Sequence, residues 1–409
     1  MPDPAASETS PFLHVKAHPR APLPWNSARE LARVTGAEGG TPMAEEPLAG
    51  ALGATLGADL VSAADVPMLD SAAMDGYAVS GEGPWAVVGR SLAGRRGPVV
   101  RLGHGEAVEI ATGAVVPDGT TAVLPYERAA ESSGTVHGGV GEGRHIRRRG
   151  ETTAAGTVAA RRGSPVTPAL LGLAASLGRD TLPVVRPLVR VLVTGDEVVD
   201  EGMPRPGAVR DAIGPVLPGL VAWAGGVCAP AVRVPDRGRD LARELGGAGA
   251  AEVVAVCGSS SAGPADHLRG VLAGLGARVV VDGVACRPGH PQVLAVLPSG
   301  AVVAGLPGNP GAALAAALTL LVPVLSGRAD RRDPAHAGRR TRLIGPTTPH
   351  PADTRLVPVR VSRDLAVELS ASGSADLRAA ATADALAVVP PSRAPGRLPG
   401  RVELVEVPT

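Results

Sequence analysis

Three glycine-containing segments of the sequence carry residues that could bind an anion: 194–197 (Thr-Gly-Asp-Glu), 258–263 (Gly-Ser-Ser-Ser-Ala-Gly) and 307–310 (Pro-Gly-Asn-Pro). Glycine allows backbone amides to approach an oxyanion closely, and a following helix N-terminus favours negative charge. The serine hydroxyls of 258–263 add further hydrogen-bond donors. An ordinary strand-to-helix turn is the alternative for each segment, because such turns are common. The three segments together favour a site for phosphate or another oxyanion.

Two adjacent carboxylates, Asp196 and Glu197, lie in the first of these segments, and Asp266 follows the second. Alone, these carboxylates would repel a phosphate, but a bridging Mg²⁺ would hold carboxylate and phosphate oxygens together. The alternative for Asp196 and Asp266 is a helix N-cap, in which a side-chain oxygen accepts a backbone N–H. The sequence leaves both interpretations open.

Two further segments could contact a ligand or simply form local structure. Asp75 precedes Gly76, and an Asp-Gly pair is normally a turn signal. Residues 145–151 (His-Ile-Arg-Arg-Arg-Gly-Glu) form a basic cluster that could bind phosphate or remain solvated. Residues 138–143 (Gly-Gly-Val-Gly-Glu-Gly) are only weakly similar to a dinucleotide loop, because no buried strand precedes them.

The composition argues against several classes of protein. Lys16 is the only lysine and no Gly-Lys-Ser/Thr step occurs, which excludes a P-loop and leaves a lysine Schiff base implausible. The net charge is +1, without a basic stripe, so we expect no nucleic-acid partner. We expect neither a membrane span nor a secretory signal, because no uninterrupted apolar stretch is long enough.

Cysteine usage indicates a reducing compartment. Cys228, Cys257 and Cys286 are odd in number, far apart and without the spacing of a zinc site. We interpret them as core or strand-end thiols, which favours the cytoplasm.

An apolar run precedes each of the three glycine-containing segments and could position it. Leu188–Val193, Glu252–Val256 and Ala301–Leu306 are predicted buried parallel strands, each followed by a helical segment. This order is typical of a doubly wound α/β domain. Ligands bind at the carboxyl ends of such strands, so we expect the three glycine-containing segments to meet at one site.

The remaining chain predicts helices and small β domains. Residues 27–64 have a largely helical pattern, with leucines four apart at positions 48, 52 and 56, and 166–177 also predict a helix. We expect the second of these helices to pack on the first. Short apolar runs at Trp85–Val88, Ala107–Ile110 and Ala122–Leu124 indicate an inserted β domain. Alternating segments at 355–361, 365–369 and 402–407 indicate a C-terminal β domain.

The predicted fold class is α/β plus β, in several domains. The predicted boundaries, in chain order, are a disordered tail (1–23), a helical linker domain (24–77 and 145–180), an inserted β domain (78–144), a three-layer α/β domain (181–328) and a C-terminal β domain (336–409).

Several segments resemble the molybdopterin molybdenumtransferases, the bacterial MoeA type and the E domain of gephyrin. Residues 73–79 (Ala-Met-Asp-Gly-Tyr-Ala-Val) resemble the signature SAMDGYAV, and 112–119 resemble TGAxxPxG. Residues 146–151 resemble NIRxxGE, and 194–199 (Thr-Gly-Asp-Glu-Val-Val) are similar to the family's strand-end loop. The loop 258–263 and the segments Pro288-Gly289-His290-Pro291 and Leu306 to Pro310 follow in the family's order. The resemblance covers about residue 25 to residue 409.

The resemblance implies a dimeric enzyme with its site at a cleft between subunits. The α/β domain would bind molybdopterin, and the C-terminal domain would be a β-barrel. The implied reaction takes adenylylated molybdopterin and molybdate as substrates, cleaves the pyrophosphate link with Mg²⁺ and releases AMP.

The resemblance also assigns site residues by position, and it favours a functional role for Asp75 over the turn. The implied catalytic residues are Asp75, Thr112, Asp196, Glu197 and Asp266, of which Asp196, Glu197 and Asp266 would bind the metal. The implied substrate-binding residues are Gly195, Gly258, Ser259, Ser261, Gly263, Arg287, His290, Pro307, Gly308, Asn309, Arg360 and Ser374.

The sequence departs from the family pattern at several positions of this site. The departures are Ala72, Thr152, Pro264, His290 and Ala312, and Arg287 replaces a lysine. The lost hydroxyls favour an alternative function, a diverged non-catalytic paralogue that binds a pterin or nucleotide, whereas the retained carboxylates favour the enzyme. His290 stands where the family has lysine, so the charge of this loop should vary near neutral pH.

Overall fold

The computed structural model describes residues 21–94, 101–247, 249–261, 263, 266–336, 338–393 and 400–408. Most of the predicted disordered tail lies outside these residues, as does Pro264.

The α-helices, in chain order, are α1 Trp25–Glu38, α2 Leu48–Ala51, α3 Pro168–Ser176, α4 Leu217–Trp223, α5 Gly238–Gly246, α6 Leu268–Gly274, α7 Pro310–Ala316 and α8 Val322–Arg328. The strands before residue 187 are β1 Leu23–Pro24, β2 Met43–Pro47, β3 Thr55–Leu56, β4 Leu60–Val61, β5 Ser71–Ala72, β6 Gly76–Val79, β7 Trp85–Ser91, β8 Glu106–Ile110, β9 Ala122–Pro125, β10 Ala129–Ser132, β11 Thr135–Gly138, β12 Ile146–Arg147, β13 Val158–Ala160 and β14 Thr181–Val185. The strands after residue 187 are β15 Leu188–Thr194, β16 Val198–Val199, β17 Val209–Arg210, β18 Val227–Cys228, β19 Val232–Val234, β20 Val253–Cys257, β21 Arg278–Asp282, β22 Val284–Arg287, β23 Val293–Val296, β24 Val302–Leu306, β25 Arg340–Ile344, β26 Thr354–Ser362, β27 Leu365–Glu368, β28 Ala385–Val389 and β29 Val402–Glu406.

The chain forms two compact units. Unit 1 comprises the described residues of Met1–Gly57, Gly163–Thr167 and Pro183–Thr409, and unit 2 comprises those of Ala58–Arg162 and Pro168–Leu182. Helix α1 belongs to unit 1 and α3 to unit 2, so the expected packing of one on the other stays a prediction. The predicted domain boundaries also stay predictions.

The central sheet of unit 1 confirms the α/β prediction. Its strand order is β18-β15-β20-β24-β23-β21, and β15, β20 and β24 run parallel to one another. Strands β23 and β21 extend the sheet in the antiparallel direction. Along β20, Val253, Ala255 and Cys257 pack on one side of the sheet, and Val254 and Val256 pack on the other. Both faces are therefore covered, which is why the predicted strands are continuous apolar runs.

Helix α1 packs on α8 through two close approaches of backbone. A Cβ at Gly36 would lie 2.1 Å from the Val324 carbonyl oxygen, and one at Gly327 would lie 2.0 Å from the Arg33 carbonyl oxygen. Only glycine permits helices to come this close. The first helix is therefore part of the α/β core of unit 1.

The prediction of a largely helical segment over 27–64 is wrong beyond residue 38. Helix α1 ends at Glu38, next to Gly39 and Gly40, and a strand, a four-residue helix and two further strands follow. Proline at 42 and 47 and glycine at 50 and 53 interrupt the helical hydrogen bonding. The four-residue spacing of the leucines is not a helical face, since Leu56 lies in β3.

Helices α7 and α8 are joined by a π-helical segment, Ala317–Leu321. The whole helical segment Pro310–Arg328 is long and apolar enough to cross a membrane, and 83% of it is buried inside the protein. This burial is typical of a core helix.

Unit 2 contains the predicted inserted β domain. Its six-stranded sheet has the order β10-β11-β7-β8-β6-β9. The three apolar runs predicted as strands lie in β7, β8 and β9, which confirms them. Helix α3 confirms the helix predicted over 166–177.

The C-terminal strands of unit 1 close into a barrel, as expected. Strands β27, β26, β28, β29 and β25 pair in this order, and β25 pairs again with β27. Leu343, Val359, Ala387 and Leu404 are buried together within this barrel. Strand β22 pairs with β26, so the barrel sheet includes the segment that connects β21 to β23 of the α/β sheet.

Candidate functional site

The carboxyl ends of β15, β20 and β24 meet in unit 1, as the sequence predicted. The Thr194 hydroxyl donates to the Cys257 carbonyl oxygen at 3.0 Å, and the Gly258 amide donates to the Leu306 carbonyl oxygen at 2.9 Å. Gly258 has φ +87°, and a Cβ there would lie 2.6 Å from the Thr194 hydroxyl oxygen. Glycine is therefore required where the first two loops touch. The loops after the three strands form one continuous edge, called the strand-end edge below.

Asp266 organises the serine-containing loop. Its carboxylate accepts the Ser261 amide at 2.8 Å and the Gly263 amide at 2.6 Å, while the Ser259 hydroxyl oxygen accepts the His267 amide at 2.7 Å. Two amides that the sequence assigned to an anion are thus bound by a carboxylate of the same loop. The N-cap interpretation of Asp266 is wrong, because α6 begins at Leu268 without a side-chain cap.

Asp196 and Glu197 lie on an exposed turn after β15. Gly195, with φ +127°, starts this turn, and the strand β16 follows it. The N-cap interpretation of Asp196 is wrong, because a strand follows this residue instead of a helix. The carboxylates remain accessible to a ligand.

Asp236 is a candidate site residue that the sequence analysis missed. The Asp196 amide donates to Asp236 Oδ2 at 3.1 Å, and the Asp236 amide donates to Asp196 Oδ1 at 3.2 Å. Each carboxylate therefore has one oxygen outside this pair of hydrogen bonds. A weak signal was available, because Asp236 closely follows the apolar segment that forms β19 at the same edge.

Arg233 forms hydrogen bonds to the backbone of the turn after β15, and the sequence analysis did not identify this residue either. Its Nη2 donates to the Gly195 carbonyl oxygen at 3.0 Å and to the Val198 carbonyl oxygen.

Among the residues that the structure describes, no group of three His, Cys, Asp or Glu side chains could hold a metal ion. The pair Asp196 and Asp236 offers the hard oxygen ligands that Mg²⁺ prefers, and Mg²⁺ commonly takes its other ligands from substrate phosphate and water.

A cavity of about 730 Å³ in unit 1 lies between the α/β sheet's last loops and the barrel. The predicted substrate-binding residues that line it are Arg287, His290, Pro307, Asn309 and Ser374. Arg360 does not line this cavity, and its guanidinium donates to the Thr382 carbonyl oxygen at 2.8 Å. The cavity brings together hydrogen-bond donors from two regions that are distant in sequence.

Two side-chain hydrogen bonds hold the backbone of the loop that carries His290. Gln292 is fully buried, and its Nε2 donates to the Gly289 carbonyl oxygen at 2.7 Å. The Ser260 hydroxyl donates to the Pro291 carbonyl oxygen at 2.8 Å. His290 itself is exposed and lines the cavity, so the loop presents it to a ligand.

Ser374 joins the opposite wall of the cavity to α7. The Asn309 side-chain amide donates to the Ser374 hydroxyl oxygen at 3.1 Å, and the Ala312 amide donates to the Ser374 carbonyl oxygen at 3.0 Å. Ala312 is buried, so the departure from serine at this position removes a hydroxyl beside the cavity wall.

Asp75 and Thr112 come together in unit 2. The Thr112 amide donates to Asp75 Oδ1 at 2.6 Å. This hydrogen bond, with a further one from the Thr112 hydroxyl, holds the pKa of the Asp75 carboxyl below its ordinary value. Asp75 is exposed and is therefore ionised at neutral pH.

The basic cluster of 145–151 has a structural role. Arg148 forms an ion pair with Asp70 at 2.7 Å, and Arg149 forms one with Asp65 at 2.6 Å. The Arg149 amide also donates to Asp70. Two of its three arginines are thus paired within unit 2.

The cysteines are free, and two of them are buried. Burial raises the pKa of the Cys286 thiol to about 12, and it also raises that of Cys257. These thiols are protonated core groups, in line with the interpretation from the sequence.

Comparisons with known proteins agree with this architecture. Residues 23–178 match the family described as "MoeA N-terminal region (domain I and II)", and residues 190–327 match "Probable molybdopterin binding domain". A Mycobacterium tuberculosis protein named "Molybdopterin molybdenumtransferase 2" is 34% identical over 325 residues, which cover 74% of this chain and 79% of that protein. A Synechococcus elongatus protein named "Molybdopterin molybdenumtransferase" is 31% identical over 66% of this chain and 72% of its own length.

Solved structures share the fold. A molybdopterin biosynthesis MoeA protein from Pyrococcus horikosii aligns with a TM-score of 0.74 at 26% identity, over 94% of this chain and 99% of that one. The sequence motifs, the strand-end edge and the family matches lead to one assignment. The chain belongs to the molybdopterin molybdenumtransferase family.

Proposed function

We propose that this chain inserts molybdate into adenylylated molybdopterin and releases AMP, a step of molybdenum cofactor biosynthesis. The observation that supports this most directly is the pairing, within unit 1, of an edge rich in carboxylates with a separate cavity rich in hydrogen-bond donors. The proposed reaction involves two anionic groups, the pyrophosphate link that is cleaved and the molybdate that is inserted, and the two regions would bind one each. The alternative, a non-catalytic paralogue, gains no support from the relatives, which are named transferases.

The cavity is the proposed site for molybdate. Arg287, Asn309 and Ser374 supply donors, and His290 adds a positive charge when protonated. A volume of about 730 Å³ exceeds what one oxyanion fills, so the same cavity has room for the metal-binding end of the pterin.

The strand-end edge is the proposed site for the pyrophosphate link. Asp196 and Asp236, which are hydrogen-bonded to each other, would supply two carboxylates to Mg²⁺, with the remaining ligands from phosphate and water. Glu197 and Asp266 stay predicted metal ligands, and Asp266 also keeps the serine-containing loop in shape. When bound, Mg²⁺ would offset the phosphate charge as AMP leaves. Arg233 fixes the turn on which Asp196 and Glu197 lie. In unit 2, Asp75 and Thr112 stay predicted catalytic residues, with the ionised Asp75 carboxylate serving as an acceptor.

The test is molybdate-dependent release of AMP from adenylylated molybdopterin, with Mg²⁺ present or removed by a chelator. We expect turnover only when molybdate and Mg²⁺ are both supplied. Binding of the pterin nucleotide without any release of AMP would support the non-catalytic paralogue instead.

We also propose a cytoplasmic homodimer. The resemblance to a dimeric family is the basis, and light scattering at micromolar concentration is the measurement. A monomer at that concentration would contradict the dimer while leaving the reaction to be measured directly.

A further inference from the structure

The Arg287 side chain is held by one buried carboxylate. Arg287 Nε lies 2.6 Å from Asp353 Oδ2, and both residues line the cavity. The Asp353 side chain is 9% exposed, whereas that of Arg287 is 62% exposed. The carboxylate is therefore the fixed partner, and the guanidinium is the group that extends to solvent.

The geometry leaves the outer edge of the guanidinium free. Within the described part of the chain, Nε makes the only hydrogen bond found for this guanidinium. Arginine has five N–H donors in a planar fork, and the edge formed by Nη1 and Nη2 suits two oxygens of one anion. An arginine anchored through Nε is thus oriented for an oxyanion.

Asp353 is itself placed by two independent features. The amides of Ala352 and Asp353 donate to His350 Nδ1 at 3.2 Å and 2.9 Å, which fixes the turn before β26, and His350 Nδ1 also lies 3.3 Å from Asp353 Oδ2. Strand β26 pairs with β22 in the register Cys286 with Thr354 and Arg287 with Arg355. The sheet therefore brings Asp353 next to Arg287 before any ligand arrives.

We propose that Asp353 is a positioning residue, which orients Arg287 so that its terminal nitrogens bind the oxyanion substrate. The inference rests on the proposed function, because it takes molybdate as the anion of this cavity. Asp353 does not touch the anion and acts through Arg287. An ion pair with one largely exposed partner contributes little to folding, so stability alone does not account for this arrangement.

Two effects of the carboxylate oppose each other. Its negative charge repels an anion, but solvent and salt screen this repulsion near an exposed side chain. Ordering a flexible side chain on binding weakens affinity by about threefold to tenfold, and Asp353 removes this cost in advance. We expect the second effect to exceed the first.

The experiment is calorimetric titration of the full chain with molybdate, with Asp353→Ala and Asp353→Asn as variants. We expect Asp353→Ala to weaken binding about tenfold and Asp353→Asn about threefold, because the amide oxygen still accepts from Nε. Glu406→Gln is the matched control, since Glu406 pairs with Arg339 on the barrel outside the cavity, and its affinity should equal that of the unchanged protein.

A double-mutant cycle with Arg287→Ala distinguishes positioning from a structural role. The effect of Asp353→Ala should disappear when Arg287 is absent, whereas an effect that persists would overturn the inference. Equal or tighter binding by both Asp353 variants would also overturn it, since repulsion would then dominate. Failure of the unchanged protein to bind molybdate would overturn the proposed function and, with it, this inference. Thermal melts of each variant confirm that the protein titrated is folded.

Discussion

The strand-end edge and the cavity are built by different kinds of contact, although both belong to unit 1. At the edge, backbone groups of adjacent parallel strands set the geometry, as in the Gly258 amide bonded to the Leu306 carbonyl oxygen. In the cavity, side chains from distant regions set it, as in Asn309 bonded to Ser374 and Arg287 bonded to Asp353. Substitutions that alter the backbone should therefore disrupt the edge. In the cavity, replacing one side chain should remove the contacts of that side chain and leave the others in place.

The two regions also differ in charge. The edge presents carboxylates, which need a cation before they can accept a phosphate. The cavity presents arginine, histidine and amide donors, which can accept an oxyanion directly. Under the proposed function, this division would keep the two anionic substrates apart until each is bound, and the following variants test it.

The largest expected effect comes from removing charge at the edge. Asp196→Asn should lower AMP release by on the order of 10² to 10³-fold, because the neutral amide weakens the proposed Mg²⁺ site. The rate of AMP release at saturating substrate is the measurement, with Asp364→Asn as a control because Asp364 lies on the exposed barrel surface. Unchanged turnover in Asp196→Asn would remove the functional distinction between the two regions.

A smaller effect is expected from a backbone change at the same edge. Gly258→Ala should lower the free energy of unfolding by ~1–3 kcal/mol, because φ is positive and the added Cβ meets the Thr194 hydroxyl. Urea denaturation measures this change. Gly270→Ala is the control, since Gly270 lies in α6 with open space around it and should be neutral or slightly stabilising. Equal stability of the two variants would contradict a geometry set by backbone contacts.

A change of a few-fold is expected from His290 in the cavity. His290→Ala should weaken molybdate binding by about threefold to tenfold, because it removes a hydrogen-bond donor that lines the cavity. His290→Lys should keep the affinity near that of the unchanged protein, since lysine also donates to an anion. Calorimetric titration of both variants with molybdate is the measurement. Equal affinities for His290→Ala and the unchanged protein would show that His290 is not an anion ligand.

The smallest effect is expected from Asp75 in unit 2. Its pKa is lowered in the folded protein by the Thr112 hydrogen bond, so the stabilisation is present above the unfolded pKa of about 3.9 and is lost as pH falls through the folded pKa. The melting temperature should therefore differ between the unchanged protein and Asp75→Asn at neutral pH, and the difference should shrink below about pH 4. A difference independent of pH would mean that the carboxylate's charge is not responsible. The variant's AMP release, measured separately, tests the predicted catalytic role.

The sequence alone predicted most of the α/β framework. Buried parallel strands are continuous apolar runs, and the loops after them are marked by glycine, so β15, β20, β24 and their meeting point could be inferred from local pattern. The family could also be inferred from local sequence, because each of its motifs is a contiguous stretch and the motifs occur in the family's order. Arg287, His290, Asn309 and Ser374 were singled out through this resemblance, and the structure brings them to one cavity.

Tertiary structure decided the contacts that join residues distant in sequence. Strand pairing brings Asp236 next to Asp196 and Asp353 next to Arg287, and the local sequence provided only a weak signal for Asp236. The segment after α1 was misjudged because leucines four apart satisfy a helical period, while prolines and glycines prevent the hydrogen bonds of a helix. Local sequence determines which backbone conformations are available, but only packing determines which side chains face one another, because that depends on elements far apart along the chain.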